Sequence, residues 1–198
     1  VGVPNLEGTP KAHDVISVDN AVAYLESHGH GAAVSALKGI EKPKHAVSHR
    51  GTSDDKGKNR EVFGQALVGI LEKMSPEERQ ERVKVIDSDL EGSCGLHHIH
   101  KAFPEIYVAS GIMERGNFSA AAGFGMEKGR QGVFGTFSAF LEMCLSEITM
   151  ARLNNANVLA HFSHAGVDDM ADNTCHFGLN NMFAANGLAS EDHTTRLY

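Results

Sequence analysis

The chain contains no tryptophan, and its three cysteines, Cys94, Cys144 and Cys175, form no Cys-x-x-Cys pair. A sparse, odd set of thiols argues against a disulfide framework or a zinc ribbon and favours a reducing compartment, so the cytoplasm is the expected location. Lys and Arg number 18 against 25 Asp and Glu, giving a formal net charge of −7, and basic residues nowhere cluster. Phosphate-backbone binding needs clustered cations, so nucleic acid is not an expected partner. No apolar run approaches the ~20 residues that cross a bilayer, which removes the membrane as a partner. No basic start followed by an apolar core marks a secretory leader. The sequence opens on Val1 and closes on Tyr198 in loop-like composition, so both ends are expected to be cuts in a longer chain.

What is present is ordinary for a globular protein: 41% hydrophobic and 22% charged residues over 198 positions. That length suits one large domain, or one domain with an N-terminal extension. Residues 1–57 are poorly periodic, apart from a short helical pattern over 18–27 and a Gly/Ala-rich stretch over 29–37. They end in a polar run, 48–58, with the composition of a linker. The pattern then becomes regular. Val62, Phe63, Ala66, Leu67, Ile70 and Leu71 fall at helical spacing over 60–74. Ser75-Pro-Glu-Glu reads as the next helix start, with Ser75 as cap and Pro76 in the first position. Short apolar runs at 83–86, 106–109, 132–136 and 157–162 read as strands, and 138–153 as a strong helix. Short strands alternating with helices predict an α/β fold: a doubly wound, mostly parallel sheet with helices on both faces. In such sheets ligands bind beyond the carboxyl ends of the strands.

The polar residues that follow those strand ends are the candidate site. Glu114 opens an alanine-rich helix in Gly111-Ile-Met-Glu-Arg-Gly-Asn-Phe-Ser-Ala-Ala-Ala-Gly. By itself a glutamate there is a helix-start acid favoured by the helix dipole. Joined to Phe137, Phe140 and Met143 in Thr136-Phe-Ser-Ala-Phe-Leu-Glu-Met, it suits a flat, nitrogen-rich ring. A carboxylate can polarise a ring nitrogen, and phenylalanines can cover a ring face, although core packing is the commoner use of such residues. The densest polar stretch, 161–176, holds His161, His164, Asp168, Asp169, Asp172 and His176. It can bind a metal or array hydrogen bonds for a polyhydroxylated substrate, and its histidines can move protons near neutral pH. Arg60 in the first turn of a helix and Ser93 in the Glu91-Gly-Ser-Cys-Gly95 loop can grip a phosphate through paired donors and exposed N–H groups. In His97-His98-Ile-His100, a helix would put His97 and His100 on one face. No third-ligand motif accompanies them, so no metal ligand is assigned in this chain.

Taken in order, the motifs from about 57 to 190 resemble the pyrimidine-binding domain of the transketolase family. Asp89-Leu-Glu-Gly-Ser93 is similar to its Asp-Leu-x-x-Ser segment, Gly111-Ile-Met-Glu114 to its Gly-(Ile/Val)-x-Glu segment, and Thr136-Phe-Ser-Ala-Phe140 to its Thr-Phe-x-x-Phe motif. His164, Asp172 and His176 reproduce its His-x7-Asp-x3-His spacing. The resemblance implies a thiamin diphosphate-binding fold, pyrimidine-type, over 58–198 and truncated at its C-terminus. It implies that 1–57 is the tail and linker of a preceding diphosphate-binding domain.

The resemblance also implies roles. Glu114 would hydrogen-bond the aminopyrimidine N1′ and promote the imino tautomer that deprotonates the thiazolium. Phe137 and Phe140 would line the aminopyrimidine pocket with Met143, His176 would lie near the exocyclic amine, and Asp89 near the thiazolium. His164 and Asp172 would contact donor-sugar hydroxyls, and Arg60 and Ser93 the acceptor's phosphate. The implied reaction, in carbohydrate metabolism, moves a two-carbon ketol unit between sugar phosphates, with Glu114, His164 and His176 catalytic. Two departures stand out: Met170-Ala-Asp-Asn173 replaces the usual Gly-Glu-Asp-Gly, and Met143 replaces an aromatic. The chain contains no Gly-Asp-Gly, the family's start of a magnesium and diphosphate site. Magnesium is therefore expected to be held by a diphosphate-binding domain elsewhere, with the site completed in a homodimer and the isolated chain inactive. Alternatives that remain are a thiamin diphosphate enzyme acting on 2-keto acids and a cofactor-free assembly domain.

Overall fold

The computed structural model describes residues 16–40, 57–167 and 176–179. The chain divides into two compact units, Val1–Lys56 and Gly57–Tyr198. In the first, α1 (Val18–Ser27) is capped by Ser17, whose side chain accepts from the Asn20 N–H, and is followed by α2 (Gly31–Lys38).

The second unit is built on four parallel strands, β1 (Val83–Asp87), β2 (Tyr107–Ala109), β3 (Gln131–Phe137) and β4 (Val158–Ser163), in the order β2-β1-β3-β4. Alternation along the central strands separates two cores, as the period of two requires. Val83 and Val85 of β1, with Val133 and Phe137 of β3, face α3 (Asn59–Leu71), α5 (Glu91–Cys94) and α6 (His97–Ala102). Ile86 and Phe134 face α7 (Glu114–Gly125) and α8 (Leu145–Leu153) on the other side. This is the doubly wound α/β arrangement expected from the alternating pattern. Ser75 and Pro76 do start α4 (Pro76–Arg82), and the Ser75 hydroxyl accepts from the Glu78 N–H at 3.2 Å.

Close backbone approach positions the site. Gly64 of α3 lies against Gly95: a Cβ on Gly64 would come 2.0 Å from the Gly95 carbonyl oxygen. Gly95 has φ +71°, and a Cβ there would meet the Arg60 carbonyl oxygen at 1.9 Å. The first turns of α3 are thereby seated directly on the end of α5.

One expected element differs. The helix predicted over 138–153 begins as α8 at Leu145; before it the chain winds through two 3-10 turns, Ser138–Phe140 and Glu142–Cys144. The cause is a long-range contact: the Ser138 hydroxyl donates to the His164 carbonyl at 2.9 Å, tying the exit of β3 to the end of β4. Among the described residues, no helix is long and apolar enough to cross a membrane.

Candidate functional site

Chain order and sheet order disagree at β1, which has its successor β2 on one side and β3 on the other. That reversal leaves a crevice at the carboxyl ends of β1 and β3, and the candidate residues gather around it. Asp87 ends β1 and is 3% exposed, with both carboxylate oxygens accepting from the Leu90 N–H at 3.2 Å. Burial pushes its carboxyl pKa up, opposed by that N–H. The Asn117 side-chain amide of α7 reaches the Ser88 hydroxyl at 3.0 Å and the Gly111 carbonyl at 2.9 Å. It thus fastens the loops after β1 and β2 to the helix that carries Glu114. Asp89, next to this knot, sits in the left-handed region with φ 64°.

Glu114 is the first residue of α7 and is buried, 6% exposed. Among the described residues nothing hydrogen-bonds its carboxylate. Its oxygens are not among the fully buried unpartnered atoms, so they keep an opening to solvent and stay free to accept from a ligand. Near the end of β3, Phe137 and Phe140 stack with centroids 6.2 Å apart. His176 stands edge-on to both, at 5.1 and 5.3 Å, and His164 edge-on to Phe137 at 4.6 Å. Phe137 belongs to the core as well, so its position is fixed by packing rather than by a ligand. Met143 is half-exposed in the second 3-10 turn.

The end of β4 carries a second group. His164 has φ 57°, a conformation that costs energy for a side chain of this size and that concentrates at functional positions. Its Nε2 lies 2.9 Å from Arg60 Nη1. A guanidinium can only donate, so Nε2 accepts and the ring carries its proton on Nδ1. That Nδ1 donates to the Ser163 hydroxyl at 2.9 Å, and Ser163 contacts the Cys94 thiol at 3.5 Å. Burial pushes the Cys94 pKa up to about 12, so the thiol is inert. His161, on the same face, donates from Nδ1 to the Cys94 carbonyl at 3.0 Å. Burial lowers its pKa, against the pull of that carbonyl. Arg60, His161, Ser163 and His164 line an open, largely polar cleft of about 650 Å³, together with Lys58 and Asn59.

The expected residues therefore fall into two described groups: Glu114 at the start of α7, and the Arg60–His164 pair joined through Phe137 to Phe140 and His176. Asp172 and the Met170–Asn173 departure lie outside the described residues. Ser93 departs from its expected setting: it sits in the short helix α5 rather than in an open loop, and it does not line the cleft. The shared face expected for His97 and His100 is also not used. His100 turns to Glu91, 2.6 Å away, and stacks on Tyr107, whereas His97 and His98 both point at Glu61. Asp87, Asn117, Ser138 and Ser163 escaped the sequence reading, because nothing in their local pattern separates them from core and turn residues.

The donor set fits the aminopyrimidine end of thiamin diphosphate. A carboxylate that no described residue engages matches a ring nitrogen that carries or receives a proton, and stacked phenylalanines match a flat heterocycle. Nothing comparable for a diphosphate and its cation is formed by the described residues. No curated protein matches the chain. Residues 56–182 match the family described as transketolase, pyrimidine binding domain. That span contains Arg60, Asp89, Ser93, Glu114, Phe137, Phe140, Met143, His164, Asp172 and His176. The chain belongs to the transketolase pyrimidine-binding domain family, whose members work in thiamin diphosphate-dependent enzymes together with a diphosphate-binding domain.

Proposed function

We propose that this chain is the pyrimidine-binding half of a transketolase-like transferase that moves a two-carbon ketol unit between sugar phosphates. The observation that carries the reading is the pairing of two chemistries at one sheet end. A buried, donor-free Glu114 lies on one side, and the Arg60–His164 pair facing a polar cleft lies on the other. When bound, thiamin diphosphate supplies a carbanion-stabilising centre, which is the chemistry needed to cleave a carbon–carbon bond next to a carbonyl. This chain's residues supply the rest.

Glu114 holds or releases a proton at the pyrimidine ring nitrogen. Phe137 and Phe140 cover the ring, with Met143 at their margin, and His176, edge-on to both phenylalanines, faces the exocyclic amine. Asp89, in the left-handed region, would lie near the thiazolium. His164, held in one tautomer by Arg60 and Ser163, exchanges its Nε2 partner for a sugar hydroxyl. Arg60, so released, turns its guanidinium to the substrate phosphate with Ser93, and Asp172 contacts the donor-sugar hydroxyls with His164. Magnesium and diphosphate are held by a diphosphate-binding domain in the same or another chain, residues 1–57 being the tail and linker of such a domain. The working unit is a cytoplasmic homodimer acting in carbohydrate metabolism.

The test is product analysis with the assembled enzyme, supplied with ketose phosphate plus aldose phosphate, or with 2-keto acids. Two-carbon transfer between the sugars supports the reading. Turnover of 2-keto acids alone would move the function to decarboxylation or oxidation at the same cofactor, and turnover of neither would leave an assembly domain.

A further inference from the structure

We propose that Glu61, His97 and His98 form a binding site for a divalent transition-metal ion of the zinc type, on the seam between α3 and α6. One ligand atom from each of the three residues falls within 4.8 Å of the others. Glu61 Oε2 lies 2.6 Å from His98 Nε2 and 3.5 Å from His97 Nε2. Ligand atoms around a zinc ion held at ~2.0–2.2 Å are separated by roughly 3.3 Å, so a small opening of the Glu61–His98 contact admits the ion.

His98 Nε2 donates to Glu61 and gives up that proton when the ion binds, while the surroundings of His97 already present its ligand atom. His97 Nδ1 faces the Glu91 carbonyl at 3.3 Å, which can only accept. The proton is therefore on Nδ1 and the Nε2 lone pair points towards Glu61, the backbone-oriented histidine common at metal centres. Gly64 makes the approach possible: a Cβ there would stand 2.0 Å from the Gly95 carbonyl oxygen and 3.0 Å from His98 Cδ2. With that space empty, Glu61 of α3 reaches two histidines some 37 residues further along the chain. All three side chains are about one-third exposed, so water can complete the coordination shell.

The charges select the class of ion. Two imidazoles and one carboxylate suit zinc, cobalt or nickel and disfavour magnesium and calcium, which demand oxygen. Arg60 Nε, 3.7 Å from Glu61 Oε1, opposes any cation here, but it engages the carboxylate oxygen that the histidines leave alone. This inference stands independently of the proposed reaction.

The test uses the 198-residue chain, stripped with a chelator, titrated calorimetrically with zinc chloride and followed separately with cobalt chloride by visible absorption. The expected result is one saturable zinc site, with a cobalt spectrum of nitrogen and oxygen ligation. Its affinity should drop at least ~10-fold in Glu61→Gln, His97→Gln and His98→Gln, and persist in His100→Gln. Zinc should also raise the melting temperature of the wild type and of His100→Gln, but not of His98→Gln. If His98→Gln fails to fold in chelator, judged by circular dichroism, His97→Gln, whose ring is more exposed, carries the comparison. Absence of saturable zinc binding overturns the proposal, and so does binding that the Glu61, His97 and His98 variants leave intact.

Discussion

Replacing Gly95 with alanine strains the seam between α5 and α3 that carries Arg60. The residue sits at φ +71°, and its missing Cβ would lie 1.9 Å from the Arg60 carbonyl oxygen, far inside van der Waals contact. A non-glycine residue in the left-handed region costs ~1–2 kcal/mol. Forcing a packed seam apart adds typically ~1–3 kcal/mol. The sum is roughly 3.5 kcal/mol at its centre, which a urea slope of about 2 kcal/mol/M converts into a midpoint lowered by about 1.7 M. The matched control is Gly92→Ala, three residues earlier in α5, where an added Cβ meets nothing within 4 Å. Alanine is the better helix former by ~1 kcal/mol, so that variant should match or exceed the wild type. Because the clash partner is the backbone of Arg60, surviving Gly95→Ala enzyme should also show a raised KM for sugar phosphate. Urea unfolding of the three proteins at one pH decides the matter. A Gly95→Ala midpoint at or above the wild-type value would refute the close approach of α3 and α5.

Three further outcomes are expected. Glu114→Gln in the assembled enzyme should keep the fold and lower kcat by ~10²–10⁴-fold, as loss of a proton-transferring group does; steady-state turnover with intact cofactor occupancy checks it. Arg60→Ala should raise the KM for a phosphorylated acceptor far more than for its unphosphorylated sugar, and equal effects would count against a phosphate contact. Acidification should destabilise the chain through His161: its folded pKa lies below the ordinary 6.5, so the unfolded chain takes up the proton first. Stability present above that pH is lost as pH falls through it towards the folded value, and His161→Phe should flatten this limb of a urea-midpoint profile while an aromatic ring still packs on Phe63, whose centroid lies 4.1 Å from that of His161.

The strands and most helix starts could be read from local pattern. Val83–Asp87 and Gln131–Phe137 are short β-branched or aromatic runs, and Ser75-Pro76 is a helix start with a physical mechanism. Where the reading departed, the deciding contact was distant. Ser138 breaks the predicted helix by bonding to His164, 26 residues away, which no local propensity encodes. His97 and His100 share a face in an ideal helix, but α6 is just six residues long and its imidazoles are claimed by Glu61 and Glu91 from earlier segments. The catalytic candidates stood out because their residue types are chemically loaded. Their supports, Asn117, Ser163 and Asp87, did not, since an amide, a hydroxyl or a buried acid gains its meaning from what folding brings beside it.

The central claim is that Glu114 and the Phe137–Phe140 pair receive the pyrimidine end of thiamin diphosphate. Calorimetric titration of thiamin diphosphate with magnesium into the assembled protein, chain and diphosphate-binding domain together, tests it most directly. Saturable binding near one site per chain, weakened when Phe137 or Phe140 is replaced by alanine in a variant that still folds, is the predicted result. No binding, or binding indifferent to both replacements, would contradict it.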